Sequence, residues 1–284
     1  MLQKIKGLLK TDIVKVFSLN ALSTLIKMLI GVVSVKVIAV LIGPTGLALL
    51  GQLTNFSSIF LSLSTAGITS GVTKYVAEYS DSENKIKAIL QTSVYITVFS
   101  SLACALLLVI GAGFFSELIL KSKEFTSIFI IFGCTISLYA LNILLLSILN
   151  GFGEFKKYAV INIAGSLIGL LFSVILVFSF GVYGALLSAV TFQSVVFIIG
   201  LFIMSRSIWF RWDFFSGKFT KSEAVKLGHF SLMALASAIA DPTSQLIIRS
   251  YLTDKTSLTE AGVWEAMNRL SGICLLYTSD AADE

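Results

Sequence analysis

Charged residues are scarce in this chain. Only 13% of its 284 residues are Asp, Glu, Lys or Arg, whereas a soluble domain carries about 25%. So few charges cannot cover a water-facing surface, which excludes an ordinary soluble fold. Hydrophobic residues make up 56% of the sequence, and the mean hydropathy is +0.92. The composition therefore predicts an integral membrane protein.

The residues that build most catalytic and metal sites are also few. The chain has one histidine, His229, and three cysteines, and they form no cluster with metal-ligand spacing. The stretch Gly151-Phe152-Gly153 lacks the Lys-Ser/Thr pair of a phosphate-binding loop. The net charge of +5 is spread over short loops, which argues against a nucleic-acid partner. The sequence thus predicts neither an enzyme nor a protein with a metal or another cofactor.

Long apolar runs dominate the chain instead. A helix that crosses the hydrocarbon core needs about 20 mostly apolar residues. A β-barrel would show shorter segments in which apolar and polar residues alternate, and residues 143–149 do not alternate. We therefore expect an all-α, polytopic transmembrane bundle of about eight helices. The candidate spans are residues 16–42, 47–72, 88–114, 125–149, 158–180, 182–204, 227–252 and 261–276.

The basic residues of the loops indicate the orientation of the bundle. Fourteen lie in the N-terminal segment and in every second loop, and three lie in the intervening loops. Because cytoplasmic loops are enriched in Lys and Arg, we expect the N-terminus in the cytoplasm and the protein in the inner (plasma) membrane. The larger group is Lys4, Lys6, Lys10, Lys15, Lys74, Lys85, Lys87, Lys156, Lys157, Arg206, Arg211, Lys218, Lys221 and Lys226; the smaller is Lys121, Lys123 and Lys255.

A weak internal repeat suggests how the helices are grouped. Residues 17–22 read FSLNAL, and residues 230–235 read FSLMAL. Six spans separate the two copies, so both would have the same orientation, as in transporters built from two parallel lobes. We expect four regions: an interfacial amphipathic helix at 1–15, a six-helix transmembrane lobe at 16–213, the start of a C-terminal lobe (helices 7 and 8) at 214–273, and a tail at 274–284.

Four charged residues lie at membrane depth, where burial of a charge is costly and usually functional. Lys27 and Lys36 are in the first span, and Asp241 and Arg249 are in the seventh. The two lysines are nine residues apart, so they lie on opposite sides of a straight helix, about 13 Å apart along its axis. Lys27 can line a central cavity or form an ion pair between helices, and Lys36 can snorkel outward.

The two charges of the seventh span are about two turns apart. Asp241 precedes Pro242, which removes a backbone hydrogen bond and usually kinks a helix. Its carboxylate can bind a cation or satisfy the freed backbone group. Arg249 can line the cavity or face the outer end of the span.

Several stretches resemble one family of transporters. Residues 67–79 read GITSGVTKYVAEY and resemble the segment after helix 2 in bacterial O-antigen and lipid III flippases. These flippases form the polysaccharide-transport branch of the multidrug/oligosaccharidyl-lipid/polysaccharide exporter superfamily. Residues 43–47 (GPTGL), 230–235 and 261–264 (AGVW) are also similar, and the likeness runs from about residue 14 to 273.

The resemblance implies the function of a flippase with no cofactor. The substrate would be an undecaprenyl-pyrophosphate-linked oligosaccharide, either an O-antigen unit or a molecule like lipid III of enterobacterial common antigen. It would move from the cytoplasmic to the periplasmic leaflet by alternating access. Cationic side chains offset the cost of desolvating a pyrophosphate, and the candidates are Lys27, Lys36, Lys74 and Arg249, with Asp241 for coupling to a cation. The implied partners are the lipid bilayer, the glycan lipid, a polysaccharide polymerase and chain-length proteins.

The likeness has one departure and leaves alternatives. The family has about twelve helices, so we expect this chain to be C-terminally truncated. Residues 274–284, CLLYTSDAADE, are similar to the translation of a transposon-type sequencing adaptor, which predicts a non-native tail. A cation-coupled small-molecule antiporter of the same superfamily is one alternative function, and a membrane-embedded glycan-assembly enzyme is another.

Overall fold

A computed structural model describes the backbone of residues 2–207 and 209–282. Side chains are described for residues 23–207, 209–229, 231–269 and 271. This part of the chain is mostly helical and has no strands, which confirms the predicted fold class. Its helices are α1 (Leu2–Ser64), α2 (Thr69–Glu78), α3 (Glu83–Ile110), α4 (Ala112–Leu120), α5 (Thr126–Gly151), α6 (Phe155–Ser205), α7 (Lys221–Lys255) and α8 (Leu258–Ala282), with short 3₁₀ turns at Lys123–Phe125 and Trp212–Phe214.

Two of the helices are long enough to cross a membrane twice. The side-chain-described part of α1, Ser23–Ser64, has 42 residues, and α6 has 51. At about 1.5 Å per residue, each straight helix would be about twice the ~30 Å thickness of the hydrocarbon core or more. Each is instead interrupted at one glycine with a left-handed backbone, Gly43 with φ 68° and Gly181 with φ 57°. We call the segments α1a (2–42), α1b (44–64), α6a (155–180) and α6b (182–205).

The glycine bends reconcile the helix count with the predicted number of spans. Within the described residues, five helices are long and apolar enough to span a membrane: Ser23–Ser64, Glu83–Ile110, Lys123–Gly151, Phe155–Ser205 and Ser231–Lys255. Two of them bend, which gives seven crossings, and α8 occupies the predicted eighth stretch. The structure is thus a bundle of about eight membrane helices, with six in the first lobe and the start of a second.

Two predicted helix ends were wrong. The second span was predicted to reach residue 72, but α1b ends at Ser64 and the chain turns through Ala66 and Gly67, both with positive φ. Residues 69–78 form the separate helix α2. The third span was predicted to reach residue 114, but α3 ends at Ile110 and α4 begins at Ala112. Hydropathy continues across both turns, so it does not reveal them.

The helices divide their apolar residues between lipid and core. Phe99, Leu102, Leu106 and Ile110 lie at helical spacing on α3 and are all exposed, as expected for a face toward lipid. The core holds a cluster of phenylalanines from α1b, α4 and α5. The ring of Phe56 packs against that of Phe60 with the centroids 4.6 Å apart, and it lies 5.4 Å from the ring of Phe129.

The loop between α6 and α7 is fixed to the first lobe. The Trp209 ring stacks on Phe152 at 3.9 Å, and its indole N–H donates to Glu154 at 3.1 Å. The Gln91 amide donates to the backbone oxygens of Asp213 and Ser216, at 2.8 and 2.9 Å. We call this end of the bundle, where the basic loops meet, the basic end.

The opposite end of the bundle contains the two glycine bends, and we call it the bend end. Ser127 and Tyr183 are hydrogen-bonded there at 3.0 Å, and Lys121 forms an ion pair with Asp254 at 3.4 Å. The predicted interfacial helix (residues 1–15) and the predicted non-native tail (274–284) lie outside the residues whose side chains are described, and both stay predictions.

Candidate ligand-binding cavity

A cavity of about 700 Å³ lies between α1, α5, α6, α7 and α8. Its wall includes Lys27 and Arg249, two of the residues singled out in the sequence. It also includes a second arginine, Arg269, and one carboxylate, Glu265. Among the described residues that line the cavity there are therefore three cations and one anion. We call it the central cavity.

Lys27 is held toward α6a by a hydrogen bond. Its Nζ donates to Oδ1 of Asn162 at 3.0 Å, while Nδ2 of the same amide donates to the backbone oxygen of Tyr158 at 2.9 Å. The second bond fixes which end of the Asn162 amide faces the lysine. Lys27 itself is exposed, so it still has N–H groups to offer to a ligand.

The other charges of the cavity form an ion triad on α7 and α8. One carboxylate oxygen of Glu265, Oε2, accepts a short hydrogen bond from Nη2 of Arg249. The other, Oε1, accepts from Nε of Arg269 at 2.6 Å. The spacing from Glu265 to Arg269 is one helical turn, which places them on one face of α8. We call these three residues the triad.

Arg249 is the largest fully buried side chain of the described residues. It is 1% exposed, and its guanidinium lies 5.5 Å from the Trp264 ring. Its Nε and Nη1 have no hydrogen-bond partner among the described residues. A buried donor without a partner costs about 1–3 kcal/mol, and an acceptor that reached these two donors would remove that cost.

Most of the remaining polar wall is neutral. Asn142 on α5 donates to Gln193 on α6b at 2.8 Å, and Ser188 donates to Ser173 at 3.1 Å. Other hydroxyls donate to backbone oxygens of their own helix, as Thr54 does at 2.7 Å. Such hydroxyls keep lone pairs that can accept from a ligand. The uncharged polar members of the wall are Ser34, Thr54, Asn55, Ser57, Ser58, Asn142, Asn162, Ser166, Ser173, Ser188, Gln193 and Asn268.

The other predicted site residues lie outside this wall. Lys36 is exposed on α1a and is not part of the cavity lining, in keeping with its position on the opposite side of the helix from Lys27. Lys74 is exposed on α2, with its amine 5.2 Å from the Tyr75 ring. Asp241 is exposed on α7, 3.5 Å from the amide of Gln245. The structure therefore brings together Lys27 and Arg249, but not the remaining three.

Two of the four charged residues that line the described part of the cavity, Glu265 and Arg269, were not predicted to belong to the site. Glu265 and Arg269 lie in the predicted eighth span, where the cost of burying charge at membrane depth applies to them as well. Their i, i+4 spacing was a signal that they form a pair. Asn162 carried no such signal, because only the packing of α1a against α6a gives it a partner in Lys27.

The arrangement of the helices is similar to that of several solved membrane transporters. The fold is similar to an inward-facing multidrug resistance MATE family transporter of the MOP superfamily, with a TM-score of 0.68, 16% identity, and coverage of 89% of this chain and 59% of that one. It is also similar to a MOP superfamily transporter from Pyrococcus furiosus, with a TM-score of 0.63, 14% identity, and coverage of 92% and 64%. At these identities the likeness establishes the fold alone.

The sequence itself identifies the family. The model of a family described as polysaccharide biosynthesis protein matches residues 13–279, so the chain belongs to that family. It is 28% identical over 258 residues to the lipid III flippase of Escherichia coli (strain K12) and equally to that of Shigella flexneri. These alignments cover 91% of this chain and 62% of each relative. They confirm the family resemblance found in residues 67–79.

Proposed function

We propose that this protein is a flippase for a lipid-linked oligosaccharide, and that it is a transporter with no enzymatic activity. Its substrate would be an undecaprenyl-pyrophosphate-linked glycan, such as an O-antigen unit or lipid III. The glycan lipid would pass from the cytoplasmic to the periplasmic leaflet by alternating access. The observation that carries the proposal is a cavity among membrane helices, with excess positive charge, in a chain of the polysaccharide biosynthesis family.

The charge of the central cavity suits a diphosphate. Lys27, Arg249 and Arg269 against Glu265 leave an excess of two positive charges on the wall. A diphosphate that carries lipid on one phosphate and sugar on the other keeps two acidic groups, and hence two negative charges at neutral pH. Since burying unpaired charge in a membrane is costly, the match in number favours this class of ligand.

The neutral part of the wall suits a glycan. Sugars present hydroxyls that both donate and accept, and the wall offers amides and hydroxyls of the same kind, including Asn55, Ser58 and Gln193. A volume of about 700 Å³ lies within the range of cavities that enclose small ligands, about 300–1,000 Å³. We therefore place the diphosphate and its first sugars in the cavity, and the polyprenyl chain in the surrounding lipid.

The alternative functions fit the cavity less well. A cation-coupled antiporter needs a carboxylate that is free to bind its cation. Within the part of the cavity lining that the structure describes, Glu265 is the one acidic residue, and two arginines occupy both of its oxygens. A glycan-assembly enzyme needs a reactive acid, base or nucleophile. Glu265 does not suit that role, because both of its oxygens are bound by arginines.

For the orientation, we propose that the basic end lies in the cytoplasm. Lys85 is exposed on α3 near that end, and Lys123 is exposed near the bend end. With the native cysteines replaced, among them the exposed Cys134, a maleimide that cannot cross the inner membrane should label Lys123→Cys in spheroplasts. It should label Lys85→Cys only after lysis. The reverse pattern would invert the topology.

Complementation tests the function. Expression from the full coding region in a flippase-null strain should restore surface polysaccharide when the matching glycan pathway is present. Failure to restore it with any matched pathway, at normal expression, would contradict the proposal.

Lys27 provides the test of the site. Lys27→Ala should reduce complementation about tenfold or more, because it removes a charge-assisted hydrogen bond of roughly 1.5–3 kcal/mol. Lys36→Ala is the matched control on the same helix, outside the cavity wall, and should complement normally. Full activity of Lys27→Ala at normal expression would remove Lys27 from the site.

A further inference from the structure

We infer that Glu265 is an internal counter-anion that occupies the two arginines of the central cavity until an anionic ligand displaces it. Glu265 would thus be a positioning residue, which sets how tightly the cavity holds a diphosphate and how readily it releases one. The inference rests on the proposed function, since it takes the ligand to be a diphosphate.

The hydrogen bonding of the triad is incomplete in a way that favours exchange. Glu265 uses one oxygen for each arginine, so neither guanidinium has a bidentate partner. A guanidinium carries five N–H groups, and Arg249 leaves its buried Nε and Nη1 without a partner among the described residues. A diphosphate has more acceptor oxygens than a carboxylate. It can therefore accept hydrogen bonds from the donors that Glu265 leaves unpaired. The arginines would exchange a carboxylate partner for a diphosphate that offers them more acceptors.

Arg249 has a second support that does not depend on Glu265. Its guanidinium lies 5.5 Å from the Trp264 ring, and a buried cation near an aromatic ring is stabilised by the ring. Removal of the carboxylate would therefore not leave Arg249 without any stabilising contact. The arginine can stay in the cavity wall while its anionic partner changes.

While it is paired with the arginines, the carboxylate of Glu265 also contacts the first lobe. A Cβ atom at Gly51 of α1b would lie only 2.7 Å from Oε1 and 2.8 Å from Oε2 of Glu265. The carboxylate thus fills the space that the missing side chain of Gly51 leaves. Once a diphosphate pairs with the arginines, it repels Glu265, and α8 loses this contact with α1b. Occupation of the cavity is in this way coupled to the contact between the lobes.

A purely structural ion triad is the competing explanation. Such triads hold helices together without responding to a ligand, and apolar residues often replace them without loss of stability. The triad of this protein differs because all three of its members line the cavity. The two explanations predict opposite effects of removing the carboxylate on anion binding.

The test measures binding of inorganic pyrophosphate to the full chain in lipid nanodiscs by calorimetry. Glu265→Gln should bind pyrophosphate at least about fivefold more tightly than the wild type, the lower range of typical coupling between two sites. Glu260→Gln is the matched control, because Glu260 lies on the same helix and is exposed. Its affinity should equal that of the wild type.

If Glu265→Gln is too unstable for calorimetry, its Tm with and without pyrophosphate tests the same inference. Without ligand, the variant should have a lower Tm than the wild type, because two arginines lose their anion. Saturating pyrophosphate should raise its Tm by more than it raises that of the wild type, because the ligand supplies the missing anion. Glu265→Asp keeps the negative charge. Its Tm without ligand, and the rise in its Tm with pyrophosphate, should lie between those of the wild type and those of Glu265→Gln.

The outcomes separate this inference from the proposed function. If the wild type binds pyrophosphate and Glu265→Gln binds it equally or less tightly, with no extra rise in Tm, Glu265 is structural and the flippase proposal stands. If neither protein binds pyrophosphate, the inference that Glu265 is a counter-anion is wrong, and so is the proposal that the cavity binds a diphosphate.

Discussion

Asp213 joins the loop between α6 and α7 to the first lobe through two cations. Its carboxylate accepts from Nζ of Lys87 at 3.0 Å and from Arg211, which also pairs with Glu83 at 2.7 Å. The hydrogen bond from Lys87, together with the charges of Arg211 and Lys87, lowers the pKa of Asp213 below its ordinary value of 3.8. The ionised carboxylate is therefore the form that fits the folded loop.

The lowered pKa predicts how this loop responds to pH. A carboxyl with a lower pKa in the folded than in the unfolded chain stabilises the fold above its unfolded pKa, and the stabilisation is lost as pH falls through the folded pKa. Asp213→Asn should therefore lower the Tm slightly at pH 7. The difference from the wild type should shrink below pH ~4, where the unfolded carboxyl is protonated. Thermal unfolding in detergent at several pH values measures this, and a difference that is constant with pH would contradict it.

Single charged residues show how far the sequence predicts the site. The rule that charge at membrane depth is functional found Lys27 and Arg249, which line one cavity. The same rule also selected Asp241, which the structure leaves exposed on α7. Depth can be counted along a span, but the face of the helix that meets a neighbour depends on how the helices pack. Partners such as Asn162 are therefore found only in the structure.

Among the helices, the bend in α6 depends on the backbone of one glycine. Gly181 has φ 57° and ψ −132°, a backbone region that is essentially restricted to glycine and costs other residues on the order of 1–3 kcal/mol. A Cβ at this position would meet no atom within 4 Å, so space is not the constraint. Gly181→Ala should therefore lower the free energy of unfolding by about 1–3 kcal/mol, measured by denaturant titration in detergent.

Gly113 is the control for this substitution. It lies in α4, and a Cβ there would also meet nothing within 4 Å, but its φ is not positive. Gly113→Ala should be neutral or stabilise by up to about 1 kcal/mol, because alanine favours a helix. If both variants changed stability equally, the left-handed backbone at position 181 would not be the cause.

The helices were more predictable than the turns between them. Apolar runs of about 20 residues mark membrane helices by length alone, and the predicted spans 158–180 and 182–204 place a break at Gly181, where α6 bends. The turn at residues 65–68 was missed because Ala66, Gly67 and Ile68 continue the apolar pattern. What ends α1b is the positive φ of Ala66 and Gly67, together with the fit of Gly67 against Leu235 and Ser231 of α7. Hydropathy contains no information on either.

At the scale of the whole molecule, α8 packs directly against the first lobe. Two close contacts join α1b to α8, and we call this contact region the α1–α8 seam. Glu265 fills the space beside Gly51, and Gly262 lies against the backbone oxygen of Pro44 at the bend end. The weak repeat between residues 17–22 and 230–235 predicted a second lobe that starts at helix 7. It could not predict which helices of the two lobes touch, because the contact involves residues outside the repeat.

The seam predicts a strong effect of one added methyl group. A Cβ at Gly262 would collide with the backbone of Pro44, and backbone cannot move aside as a side chain can. Gly262→Ala should therefore push α8 away from α1b and lower the free energy of unfolding by about 1–3 kcal/mol, as overpacking does. Gly228→Ala on α7 is the matched control, because a Cβ there meets nothing within 4 Å, and it should be neutral or slightly stabilising. Denaturant titration of both variants in detergent measures the difference. Equal stabilities would mean that α8 does not pack closely on Pro44, and that the lobes meet elsewhere.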